Sequence, residues 1–157
     1  MSQSAGVLMF RVKQSVIEFF LVHPGGPFWK NKDRGAWSIP KGEFGHDEEP
    51  LAAAIREFGE ETGMQLQGNF ITLSPVKQRS GKWIHAYGLE GDLDPSALRS
   101  NTFSLEWPPR SGKYLDVPEV DRGEWFDYET AKEKLIPGQV AILDELYTLT
   151  KQLTERD

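Results

Sequence analysis

Three glutamates, Glu57, Glu60 and Glu61, stand close together in the run REFGEETG, Arg56 to Gly63. Carboxylates at this density suit one chemistry above others: they are oxygen donors for a hard divalent cation such as Mg²⁺ or Mn²⁺. On a helix that advances roughly 100° per residue, the three side chains fall within an arc of roughly 100°. Without a cation they repel one another and the negative end of the helix, where each acidic group costs some tenths of a kcal/mol up to ~1. A bound cation reverses the sign of that interaction. Arg56 lies four residues before Glu60, the spacing at which a guanidinium holds a carboxylate. The plainer reading is a solvated acidic face, which needs cationic partners at helical spacing. None follows downstream. The chain has no cysteine, so thiolate sites and disulfides are excluded and a metal must use oxygen or histidine ligands.

The predicted elements show what must position these groups. AGVLMFRV (5–12) and SVIEFFLVH (15–23) read as paired strands joined by a short polar link. The segment 24–45, rich in Gly, Pro, Trp and Lys, reads as a long loop with one short strand around Trp37 to Ile39. Loops this long in compact domains tend to carry function. A helix follows, starting near Asp47 or Glu48, with Pro50 in its first turn and Gly63 as terminator. Its apolar residues Leu51, Ala54, Ile55 and Phe58 form one stripe. Strands are predicted at 69–77 and 82–90, a Pro-rich excursion at 107–118, a short strand around 124–126, and helices at about 129–135 and 139–153, broken at Pro137 and Gly138. This order predicts a layered α/β domain, and 157 residues make one domain, 1–157.

A net charge of −6 argues against a broad basic face for duplex nucleic acid but leaves room for a local basic pocket that takes one phosphorylated ligand. No run approaches the ~20 apolar residues of a membrane span, and the first residues lack a leader pattern. A cytoplasmic location is therefore the default expectation.

The spacing of the acidic run against its upstream neighbours carries a family resemblance. Gly42, Glu48, Arg56, Glu57, Phe58, Gly59, Glu60, Glu61, Thr62, Gly63 and Met64, in unbroken register from Gly42 to Met64, resemble a complete Nudix box. Its mild departure is Phe58, where an aliphatic residue is more usual. The resemblance implies a Nudix hydrolase fold, an α/β/α sandwich around a central mixed sheet. It also implies hydrolysis of a diphosphate linkage in a nucleoside diphosphate joined to another group X. By the same resemblance Glu57, Glu60 and Glu61 are metal ligands, Arg56 orients a glutamate, Gly42 shapes the loop, and Glu48 supports it or stands behind the metal ligands. The chemistry agrees: a diphosphate repels a nucleophilic water, and oxygen-bound cations neutralise it and lower the pKa of that water.

Residues beside the box extend the expectation. Lys41, in SIPKG, is placed to meet a substrate phosphate, and the PKG variant looks like that of Nudix hydrolases acting on dinucleoside or diphosphoinositol polyphosphates. Glu119 is the first candidate for a catalytic base outside the box, with Asp121 and Glu106 as competitors. Lys82, His85 and Tyr87 are expected to share a pocket-lining strand face. Phe28 and Trp29, among Lys30, Lys32 and Arg34, are a mixture that stacks a base and attracts phosphate, although packing is their plainer role. HPGGPFW and SNTFSLEWPPRSG also look like a Nudix branch described only as nucleoside triphosphate pyrophosphohydrolases. The diagnostic proline or tyrosine that some branches carry downstream of the box is replaced here by Lys77, Gln78, Arg79 and Ser80.

The substrate expected is therefore a small nucleotide, a dinucleoside polyphosphate ahead of a nucleoside triphosphate, with a homodimer left open. Two rivals stand beside it: a Nudix-fold module that binds a nucleotide without cleaving it, and a hydrolase of RNA 5′ ends.

Overall fold

The computed structural model of the chain describes residues 3–156. Its strands are β1 (Gln3–Lys13), β2 (Val16–Pro24), β3 (Lys41–Phe44), β4 (Ile71–Thr72), β5 (Val76–Lys77), β6 (Trp83–Glu90), β7 (Thr102–Glu106), β8 (Tyr114–Pro118) and β9 (Val120–Asp127). The α-helices are α1 (Pro50–Thr62), α2 (Tyr128–Lys134) and α3 (Val140–Thr150). The main sheet runs β4-β6-β1-β2-β9, with β3 added to β1 and β5 to β6. β1 and β6 pair parallel and the other ladders are antiparallel, so the sheet is mixed.

Both sheet faces are covered, which is why β1 and β2 read as nearly continuous apolar runs rather than alternating ones. On one face Leu8, Phe10, Phe19, Leu21 and Ile84 pack against Ala131 and Leu135 and against Ile142, Leu143 and Leu146 of α3. On the other, Val7, Met9, Phe20 and Val22 pack against Ala53, Ala54 and Phe58 of α1. The result is an α/β/α sandwich. Gln14 and Ser15 join β1 to β2 with positive φ at both positions, the conformation of a tight two-residue hairpin turn.

Several boundaries differ from the sequence expectation. The strand predicted at 69–77 is two short pieces, β4 and β5, interrupted at Ser74 and Pro75; proline offers no ladder donor, and the Ser74 N–H donates to Glu145 instead. The Pro-rich excursion ends in β8, which pairs with β7 as a separate two-stranded ribbon. The segment predicted as loop closes with β3 on β1. The last helix stops at Thr150 and continues as a 3₁₀ turn. The buried face of α1 is rotated from the predicted stripe. Ala53, Ala54, Glu57, Phe58, Glu61 and Thr62 are buried, whereas Leu51 and Ile55 are only partly covered. Two of the three glutamates thus face the sheet, at the edge where β3 meets β1.

Candidate active site

The acidic helix and the β3 loop fit together through Gly42. A Cβ at this position would fall inside the Glu57 carboxylate, so only glycine lets that side chain lie against the strand. Helix α1 enters through Pro50 and ends at Gly63, which adopts φ 80° and donates its N–H to the Gly59 carbonyl at 2.8 Å. The next turn out is also held: Arg99 N–H donates to Thr62 O and Asn101 N–H to Glu60 O, each at 2.8 Å.

Arg56 organises the exposed side of the cluster. Its Nε and Nη2 donate to the two oxygens of Glu48 at 2.9 Å, and its Nη1 donates to Glu57 Oε2 and Glu60 Oε2 at 2.7 Å. This places the guanidinium at the centre of three carboxylates and raises its pKa further. Glu61 lies deeper, 7% exposed. Burial, with Glu119 and Glu57 nearby, pushes its carboxyl up to about 8, against the opposing pull of Lys41. Burial likewise raises Glu57, opposed by Arg56.

A cavity of about 500 Å³ gathers these groups. Its lining includes Lys41, Gly42, Glu57, Glu60, Glu61, Lys82 and Glu119, so six of these side chains and one glycine from four parts of the chain meet there. Lys41 is driven down from its usual ammonium range by burial, partly offset by Glu61. Lys82 Nζ lies 3.1 Å from Glu43 Oε2. Glu119 sits just before β9 with its backbone clamped: its N–H donates to Asn101 O at 2.9 Å, and its carbonyl accepts from Gly25 N–H at 3.0 Å. Of its competitors, Asp121 is engaged by His23, and Glu106 accepts from the Gly112 N–H in the β7–β8 ribbon.

Tyr87 is not in the cavity lining, and the shared face expected for Lys82, His85 and Tyr87 does not form. The spacing from 82 to 85 is odd, and side chains on a strand alternate sides. Lys82 precedes β6, while His85 meets Phe44 edge-on and Tyr87 packs beside the α1 core. Trp29 does line the cavity, whereas Phe28 is 56% exposed, with Lys32 Nζ 4.5 Å from its ring centroid. Ser4, Ser38 and Ile136 also line it. Nothing local in the sequence marks these three, because strand register and the turn before α3 bring them in.

Among the described residues no three acidic or histidine side chains are drawn together as a ready-made cation cage. Glu57 and Glu60 each have an oxygen on Arg56 instead. The donor set nevertheless fits a hard divalent ion in kind: carboxylates alone, two of them buried and held above their usual range by burial and mutual repulsion.

Comparison with known proteins agrees with the geometry. A family model described as NUDIX domain matches residues 2–146. An RNA pyrophosphohydrolase of Agrobacterium fabrum is 30% identical over 126 residues, covering 70% of this chain and 68% of that protein. An octanoyltransferase of Myxococcus xanthus is 34% identical over 101 residues; the match takes in 64% of this chain but spans only 25% of that protein. An Ap4A hydrolase from C. elegans, solved as a binary complex, superposes with a TM-score of 0.64 at 18% identity, covering 94% of this chain and 97% of that one. At that identity the likeness speaks for the fold. The family match takes in nearly all of the sequence, and the chain belongs to the Nudix family.

Proposed function

We propose that the protein hydrolyses a diphosphate linkage in a nucleoside diphosphate joined to a group X, using a divalent cation held by Glu57, Glu60 and Glu61. The observation that carries this reading is the meeting of those carboxylates with Lys41, Lys82 and Glu119 around one cavity. Mg²⁺ or Mn²⁺ bound there would neutralise the diphosphate and make a water more acidic. Lys41 and Lys82 are positioned to draw substrate phosphate oxygens to the acidic wall. Glu119 is the group suited to accept the proton of the attacking water, because its backbone is fixed on both sides while its side chain faces the cavity. Trp29 offers a flat surface for a base at the same mouth.

Dinucleoside polyphosphates are the leading substrates, on the strength of the PKG loop ahead of Gly42, with nucleoside triphosphates next, on the segments HPGGPFW and SNTFSLEWPPRSG. A second reading, removal of diphosphate from RNA 5′ ends, is favoured by the name and the 30% identity of the Agrobacterium relative. A panel of dinucleoside polyphosphates, nucleoside triphosphates and 5′-triphosphorylated oligonucleotides, with product identification, separates these. Turnover should require added metal and fall at least about a hundredfold in Glu60→Gln or Glu61→Gln. Unchanged turnover in both variants would sink the metal assignment. Tight binding without product under any divalent ion would favour a non-catalytic binding module.

A further inference from the structure

One imidazole joins two walls of the cavity. His23, fully buried near the end of β2, has Nδ1 2.9 Å from Asp121 Oδ1 and Nε2 2.6 Å from the backbone carbonyl of Lys32. A carbonyl oxygen and a carboxylate are both acceptors. Each ring nitrogen is thus within hydrogen-bond distance of a different part of the chain, so one rigid ring spans both.

The two partners belong to separate walls. Lys32 lies in the loop between β2 and β3, where its N–H donates to the carbonyl of Trp29 at 2.9 Å, and Trp29 lines the cavity. Asp121 is the extra residue of a β-bulge: His23 opposes Arg122 and Pro24 opposes Val120, which leaves Asp121 unpaired in the ladder. Bulges re-aim neighbouring side chains. The two residues just before Asp121, Glu119 and Val120, are the ones this strand contributes to the cavity.

We propose that His23 is a positioning residue that locks the Trp29 loop to the bulged start of β9 and so sets where Trp29 and Glu119 stand. The groups around it are few. Asp121 is the carboxylate in contact. The Trp37 ring meets the imidazole edge-on at 5.2 Å between centroids, the Arg122 guanidinium lies 5.2 Å from the Trp37 ring, and Asp33 accepts the Trp37 indole N–H at 2.8 Å and pairs with Lys134. Loss of either contact releases one wall from the other. The kinetic consequence rests on the hydrolase reading above; the bridging of the two walls does not.

The test is heteronuclear NMR of the full chain, with the His23 ring signals identified by their absence in His23→Gln. Asp121→Ala removes the contact to Nδ1, whereas the side-chain amide of Asp121→Asn keeps a hydrogen bond to the ring. The Trp29 indole N–H signal should therefore shift in Asp121→Ala, although residue 121 does not touch Trp29, and return to its wild-type position in Asp121→Asn. With whichever panel nucleotide the wild type cleaves, KM should rise at least about tenfold in Asp121→Ala with a smaller change in kcat, and Asp121→Asn should restore it. A Trp29 signal that holds still in Asp121→Ala overturns the proposal, and so does an equal displacement in both variants. If no nucleotide is cleaved, the hydrolase reading fails while the Trp29 signal still decides the role of His23.

Discussion

Arg56 shows how much a single side chain organises. Its planar fork meets Glu48 through two parallel hydrogen bonds and reaches Glu57 and Glu60 with its remaining nitrogen. A lysine would supply the charge without the fork. Arg56→Lys should therefore lower kcat by about tenfold or more in metal-saturated enzyme while the chain stays folded, as checked by steady-state kinetics beside circular dichroism. Unaltered kcat would mean that guanidinium geometry is irrelevant to how the glutamates are held. The i, i+4 relation of Arg56 to Glu60 was legible from spacing alone, but the partnership with Glu48 was not. It needs the chain between β3 and α1 to fold back along the helix. Tyr87 shows the opposite case, since strand parity already separates it from Lys82 before any tertiary structure is considered.

At the scale of the element, α1 carries a glycine that no contact demands. A Cβ at Gly59 would meet only the Met64 carbonyl, at an ordinary 3.5 Å. Glycine within a helix costs about 1 kcal/mol relative to alanine. Gly59→Ala should raise stability by about that amount, read as a higher denaturation midpoint; a fall would reveal a constraint the contacts do not show. Helix α2 is tuned differently, by Asp127, whose side chain accepts the Thr130 N–H at 2.8 Å as an N-cap. Its hydrogen bonds with Thr130 lower the Asp127 pKa from 3.8. A depressed folded-state pKa means that the stabilisation is present above the unfolded value and is lost as pH falls through the folded one. Wild type should thus exceed Asp127→Ala by about 1 kcal/mol near neutrality. That margin should shrink in acid titrations below the unfolded value; a margin constant down to the acid transition would rule out the ionised cap as its source.

For the whole molecule, the telling quantity is the response to metal. Glu57, Glu60, Glu61 and Glu119 meet in one cavity of a chain already at −6, and Arg56 offsets only part of their repulsion. Divalent metal should raise the melting temperature of chelator-treated wild type, and raise it less in Glu61→Gln. An equal rise in both would place the bound ion elsewhere.

The sequence by itself determined the family, the layered α/β class and the acidic helix, because these rest on local spacing: box register, helical periodicity and terminators such as Gly63. Tertiary structure decided which face of α1 is buried, since that depends on Gly42 admitting the Glu57 carboxylate. It also decided the ribbon of β7 and β8 and the joining of distant walls through His23. Each of these is a contact between residues far apart in the chain, and local preferences carry no information about which distant backbone will supply a partner.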